Sequence, residues 1–256
     1  MTDLTADEIE RYARHIVLHE FGGAGQQALK ASTILVIGAG GLGAPAMMYL
    51  AAAGVGTIHI VDDDTVSLSN LQRQIIHDSD TVGETKVSSA ASALARINPH
   101  THVITTQAQL RSENARDLIS QVDLVLDGSD NFDTRYLVAE ECETGKIPLV
   151  TGAVGRFDGS VTVLRPWETG EDGALNPRYI DLFPQRPADG SVPTCAEAGV
   201  LGALTGVIGA MMAMEAIKDL TGVGKTLIRQ LLLYDGLTAR TTTIHYKRPG
   251  TPGPAA

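Results

Sequence analysis

The sequence is poor in cysteine: it has two, Cys142 and Cys195, with no C-x-x-C pair anywhere in 256 residues. That excludes a disulfide framework and a cysteine-only zinc knuckle, and it fits a reducing, cytoplasmic setting. Cations are also scarce, with Lys+Arg 20 against Asp+Glu 30 and a net charge of −10. Broad nucleic-acid binding needs a cationic footprint, so it is disfavoured, and a polyanionic ligand must be met by a few local cations. The N-terminus has no basic n-region followed by an apolar run, so no targeting segment is expected. The longest uncharged stretch, Ala198 to Met214, is rich in Gly, Ala and Thr. It is expected to be a helix buried in the protein or in a subunit interface rather than a membrane span.

What remains is an ordinary globular composition, 43% apolar and 20% charged, long enough for a sizeable core. Thr5 and Glu8 have capping-box spacing, and Ile9, Tyr12, Ala13, Ile16 and Val17 continue one apolar stripe, which predicts a single opening helix. Arg11, Arg14 and His15 lie off that stripe. Strands are expected at Thr33 to Ile37, Thr57 to Val61, His102 to Thr106, Val122 to Leu126 and Pro148 to Thr151. Helices are expected between them, to Ala53, over Glu84 to Ile97, Ser112 to Ser120 and Phe132 to Thr144. This alternation predicts an α/β fold, a doubly wound and mostly parallel Rossmann-like sheet. Beyond Ala153 the pattern changes to a strand at Ser160 to Leu164, a long loop over Glu168 to Thr194 and a helix over Ala198 to Leu220. An antiparallel pair, Leu227 to Asp235 and Arg240 to Tyr246, completes a C-terminal extension. The expected organisation is one domain, 1–256: helices over 1–32, a core over 33–153 and an elaborated half over 154–256.

Gly38, Gly40 and Gly43 form G-x-G-x-x-G between a strand and a helix, with Gly41 as an additional glycine. The first lets the chain turn, the second lets backbone N–H groups approach a phosphate, and the third lets helix pack on strand. Asp62 ends the next strand, where a carboxylate can accept hydrogen bonds from a ribose. Ser69, Asn70, Leu71, Gln72, Arg73 and Gln74 form a polar cluster carrying one guanidinium, and Lys86 lies near a helix start. An Arg and a Lys converging there suit a triphosphate better than a dinucleotide. Asp130 and Asn131 follow the fourth core strand. Asp130 either holds Mg²⁺ or caps the next helix.

Taken together, these residues resemble the MoeB/ThiF family of bacterial adenylyltransferases related to ubiquitin-activating enzymes. The motifs that carry the likeness are Arg11-Tyr12-Ala13-Arg14-His15, the glycine loop, Asp62-Asp63-Asp64-Thr65-Val66, Ser69 to Gln74, Gly83-Glu84-Thr85-Lys86 and Asp127 to Asn131. Pro193 to Gly202 and Val207-Ile208-Gly209 extend it over nearly the whole chain. The resemblance, strongest to the branch that activates molybdopterin synthase, implies Mg²⁺- and ATP-dependent adenylation of the C-terminal Gly-Gly carboxylate of a ubiquitin-like sulfur carrier protein. It places ribose on Asp62, phosphates on Asn70, Arg73 and Lys86, and magnesium on Asp130. It also implies a homodimer in which Arg14 reaches the other copy's triphosphate, with the Ala198 to Leu220 helix as an interface element. Cys195 matches a cysteine that acts covalently in some relatives; here both a reactive and a packed, inert cysteine stay open, and Cys142 reads as structural.

Many relatives carry two C-x-x-C pairs that bind zinc. Here those positions fall at Arg178 and Asp181 and near Thr251 and Pro254, so no zinc is expected, and the Glu168 to Thr194 loop should be less tethered. Longer relatives add a sulfurtransferase domain that this sequence does not include, so sulfur would come from elsewhere. Activation of a thiamine or tRNA-thiolation carrier stays open, as does a tRNA-modifying dehydratase of the same fold. An NAD(P)-dependent oxidoreductase explains the glycines and Asp62 but leaves Arg73, Lys86 and Asp130 without roles.

Overall fold

A computed structural model describes residues 3–186 and 199–249. Cys195, Thr251 and Pro254 lie outside the described residues. The chain opens with α1 (Ala6–Arg11), α2 (Ala13–Ile16) and α3 (Gly22–Ala31). The capping box forms as expected: Thr5 accepts the Glu8 N–H while Glu8 accepts the Thr5 N–H. The single opening helix does not form. It breaks at Tyr12, whose ring is 3% exposed and whose hydroxyl accepts a 2.7 Å hydrogen bond from Asn98. Seating that ring turns the chain, and Ile9 and Val17 of the expected apolar stripe are left exposed. A local period of 3.6 residues yields here to one deep aromatic anchor.

The core alternates strand and helix: β1 (Thr33–Ile37), α4 (Gly43–Ala53), β2 (Thr57–Val61), α5 (Lys86–Ile97), β3 (His102–Thr106), α6 (Ser112–Ile119), β4 (Leu124–Asp127) and α7 (Phe132–Gly145). Then come β5 (Leu149–Gly155), β6 (Asp158–Leu164), the single turn α8 (Tyr179–Leu182), α9 (Gly202–Thr221), β7 (Gln230–Asp235) and β8 (Arg240–His245). The eight strands form one sheet in the order β3-β2-β1-β4-β5-β6-β7-β8. β3 to β5 pair in parallel and β5 to β8 pair antiparallel, so the expected parallel core with an antiparallel extension is observed. β1 and β4 are buried along almost their whole length, as apolar runs covered by helices on both faces should be.

α9 packs against α4, β5 and β6, burying Leu204, Ile208, Met212 and Ala216. Glu215, 5% exposed on the same helix, is satisfied by the Leu227 N–H at 2.8 Å and by the Lys218 ammonium. Among the described residues, no helix is long and apolar enough to cross a membrane.

The first part of the 168–194 loop is not loose. Arg165 holds Asp219 and Glu168, Arg229 makes a bidentate pair with Asp172 at 2.7 and 2.6 Å, and Tyr136 donates to the Phe183 carbonyl. Arg178 and Asp181, at the positions where the family resemblance places cysteine, pair at 2.9 Å, and the Asp181 carboxylate also accepts the Arg178 backbone N–H at the start of α8. Ionic contacts tether this segment.

Candidate functional site

The strand order reverses between β1 and β4, and that reversal opens a crevice beyond the carboxyl ends of the strands. It has a volume of about 160 Å³ and receives the glycine loop from β1, Asp62 from β2 and the Gly128 to Asn131 segment from β4.

The glycine loop is fixed by sterics. Gly38 has φ +89°, and a Cβ at Gly43 would stand 1.9 Å from the Gly38 carbonyl oxygen, so α4 starts against the strand only with glycine there. Gly43 itself does not line the crevice, whereas Gly38, Gly40 and Gly41 do. The N–H groups of Gly40, Gly41 and Leu42 have no partner among the described residues, an arrangement suited to anions.

Asp62 is half-buried. Its Oδ2 accepts the Ala39 N–H at 2.7 Å and its Oδ1 accepts the Asp64 N–H at 2.8 Å. Burial raises its pKa, with the Lys86 ammonium opposing the rise. Each oxygen keeps a lone pair for a ligand hydroxyl. Lys86, 6% exposed at the start of α5, pairs with Asp64 at 2.7 Å, a contact invisible in sequence spacing. Carboxylate oxygens of Asp62, Asp63 and Asp64 lie within 4.8 Å of one another, but backbone N–H groups and Lys86 already engage Asp62 and Asp64.

Arg73 lines the crevice and donates to the Ser69 carbonyl at 3.1 Å. Ser69, Asn70, Leu71 and Gln72 stand behind it, outside the lining. Asn70 faces its own short turn, accepting from the Ser67 N–H. At the end of β4 Asn131, not Asp130, is the N-cap of α7, accepting from the Thr134 N–H at 2.9 Å. Asp130 is exposed at the crevice with no partner among the described residues. The fully buried Asp127 shapes this loop by accepting from Ser129 and from Thr151.

Arg14 is exposed on α2 and does not line the crevice. Cys142 is buried on α7, and desolvation pushes its thiol well above the usual range, in keeping with a structural role. Three crevice residues had no role assigned from sequence. Gln74, named within the polar cluster, is 4% exposed and lines the crevice, with an Oε1 that lacks a hydrogen-bond partner among the described residues. Arg135 lines it and donates to the Ser129 carbonyl at 2.8 Å. Thr205, from α9, packs on Gly41 and donates to the Arg73 carbonyl at 3.2 Å. A polar residue directly after Arg73 was a usable signal for Gln74; nothing local marks Thr205, more than a hundred residues away.

A glycine-lined crevice at the reversal point of a parallel sheet, with a strand-end carboxylate, defines the architecture as Rossmann-type α/β. Residues 12–252 match the model of the ThiF family, and the chain belongs to that family. It is 49% identical over 251 residues to the Mycobacterium tuberculosis protein described as "Probable adenylyltransferase/sulfurtransferase MoeZ", covering 97% of this chain and 63% of that one. It is 46% identical over 245 residues to the sulfur carrier protein adenylyltransferase of Thermus thermophilus, covering 95% of this chain and 89% of the relative. The chain thus spans less than two thirds of the MoeZ length. The fold is similar to that of E. coli MccB crystallised with MccA-N7isoASN, at a TM-score of 0.81 and 19% identity, over 95% of this chain and 74% of that one.

Proposed function

We propose that this protein is an adenylyltransferase that activates the C-terminal Gly-Gly carboxylate of a ubiquitin-like sulfur carrier protein with ATP and Mg²⁺. The observation that carries the reading is the convergence in one crevice of unpaired loop N–H groups, Asp62, Arg73, Lys86 and an uncommitted Asp130. The names of the M. tuberculosis and T. thermophilus relatives support the same chemistry. The small subunit of molybdopterin synthase is the proposed carrier, with thiamine and tRNA-thiolation carriers as the competitors to test.

In this reading Asp62 accepts from ribose hydroxyls, and the Gly40 to Leu42 N–H groups meet phosphate oxygens. The carrier carboxylate attacks the α-phosphorus in line. The new O–P bond forms as the bond to the β-phosphate breaks, and pyrophosphate leaves. Such a step needs charge neutralisation and alignment more than a base. The Lys86 ammonium has three donors, so it can keep Asp64 and still reach a phosphate. Arg73 keeps donors beyond the one on Ser69, while Ser69 to Gln72 hold the turn behind it.

The donors present fit magnesium: Asp130 offers free carboxylate oxygens, as a hard cation prefers. Bound there, Mg²⁺ would help neutralise the charge of the phosphates. Asp130→Asn is expected to lower the rate at least about a hundredfold with the fold retained.

The chain is further read as one adenylating unit, with 33–153 for the nucleotide and 154–256 for carrier docking and dimer contacts. It works in the cytoplasm as a zinc-free homodimer, with Arg14 completing the other copy's site. The test is intact-mass detection of adenylated carrier after incubation with ATP, Mg²⁺ and each candidate carrier. Adenylation of none would overturn the reading.

A further inference from the structure

His77 is outside the crevice lining and has no part in the mechanism above. Its ring is 5% exposed, wedged between the glycine loop and α5. Nε2 lies 3.0 Å from the Ala39 carbonyl oxygen and Nδ1 lies 2.8 Å from the Ser89 hydroxyl. A carbonyl only accepts, so Nε2 carries a proton; in the neutral ring Nδ1 then accepts from Ser89. Burial holds the imidazole below its usual pKa, with the Lys86 ammonium acting in the same direction, against the hydrogen bond to the Ala39 carbonyl and the carboxylates of Asp62 and Asp78.

The anchored carbonyl has a geometric consequence. In a trans peptide the C=O and the following N–H point in opposite directions, and the chain has no cis bonds among the described residues. With the Ala39 carbonyl turned inward to His77, the Gly40 N–H of the same peptide faces away from the ring. Gly40 lines the crevice, and its N–H has no partner among the described residues. On the preceding peptide, the Ala39 N–H is taken by Asp62. Ala39 is therefore gripped on both sides, by carboxylate and imidazole, and its buried methyl leaves no room to rotate.

The same residue links the other phosphate-facing elements. The His77 backbone N–H donates to the Gln74 carbonyl at 3.0 Å, next to Arg73. Ser89 stands one turn along α5 from Lys86, on the same face.

We propose that His77 is a positioning residue for the nucleotide crevice: as the Nε2-protonated tautomer it fixes the Ala39–Gly40 peptide so that the Gly40 N–H faces a bound phosphate. This rests on the nucleotide reading above. His77→Leu keeps apolar bulk and loses the donor. His77→Gln places an amide N–H at about the reach of Nε2.

MgATP titrated calorimetrically into the full chain should bind His77→Leu at least about tenfold more weakly than wild type, the worth of one well-aimed hydrogen bond to a charged group. His77→Gln should recover most of that loss. Equal affinity in wild type and His77→Leu overturns the proposal and leaves the nucleotide reading standing. Failure of wild type to bind MgATP overturns both. Should His77→Leu not fold, long-range ¹H–¹⁵N spectra of the wild-type chain decide. A neutral ring protonated on Nε2 at pH 7 is expected; an Nδ1-protonated ring or an imidazolium refutes the proposal.

Discussion

The centre of the sheet and its antiparallel edge are built on different principles. At β1 and β4 nearly every residue is buried, and the buried carboxylate of Asp127 is satisfied by Ser129 and Thr151. At β8, on the antiparallel edge, all six residues are exposed, and β7 beside it is mostly half-buried. The centre is held by apolar packing; the extension is held by pairing to β6, by α9 and by ion pairs such as Arg165–Asp219 and Arg229–Asp172. The crevice sits on the packed centre. The antiparallel edge is left as surface, a form suited to the docking proposed for that half.

Substitutions should break this contrast unequally. Leu126→Ala, in the centre of β4, is expected to cost about 2–5 kcal/mol in urea unfolding, because the cavity cannot collapse between two helical layers. Arg165→Ala should cost less, about 1–3 kcal/mol, since it strands Asp219, which is 3% exposed, while Arg165 itself is partly solvated. Its second signature is faster proteolysis within 165–186.

A smaller effect comes from pH. His59 and His77 are both held below their usual pKa by burial. The unfolded chain therefore binds their protons first as pH falls below about 6.5, so stability should decline with acid through that window. His77→Gln should flatten the decline. Thr242→Ala, on exposed β8, should change stability by no more than about 0.5 kcal/mol. A large loss there would mean that β8 is part of the folding core, and the contrast would fail.

The packed centre was also legible. β1, β2 and β3 fall where they were expected, and β1 is a nearly unbroken apolar run because helices cover both its faces. β4 starts two residues later than expected and takes in Asp127 at its end, a charge satisfied by Ser129 and Thr151. The break at Tyr12 depends on Asn98, and the single turn α8 depends on an Arg178–Asp181 pair inside what reads as loop. The site followed the same rule. The strand-end residues Gly38, Gly40, Gly41, Asp62, Arg73, Lys86 and Asp130 were visible as ordered motifs and meet in one crevice. Arg135 and Thr205 join them through tertiary contacts that carry no local pattern. The Lys86–Asp64 pair and the Ala39–His77 bond belong to the same class.

The central claim is that this crevice transfers an adenylyl group to a carrier's terminal carboxylate. Its most direct test is ATP–pyrophosphate exchange with purified carriers, each offered with an intact Gly-Gly end and with that end amidated. The account predicts exchange with an intact carrier and none with its amidated form. Exchange that ignores the carboxylate, or is absent with every carrier, would contradict it.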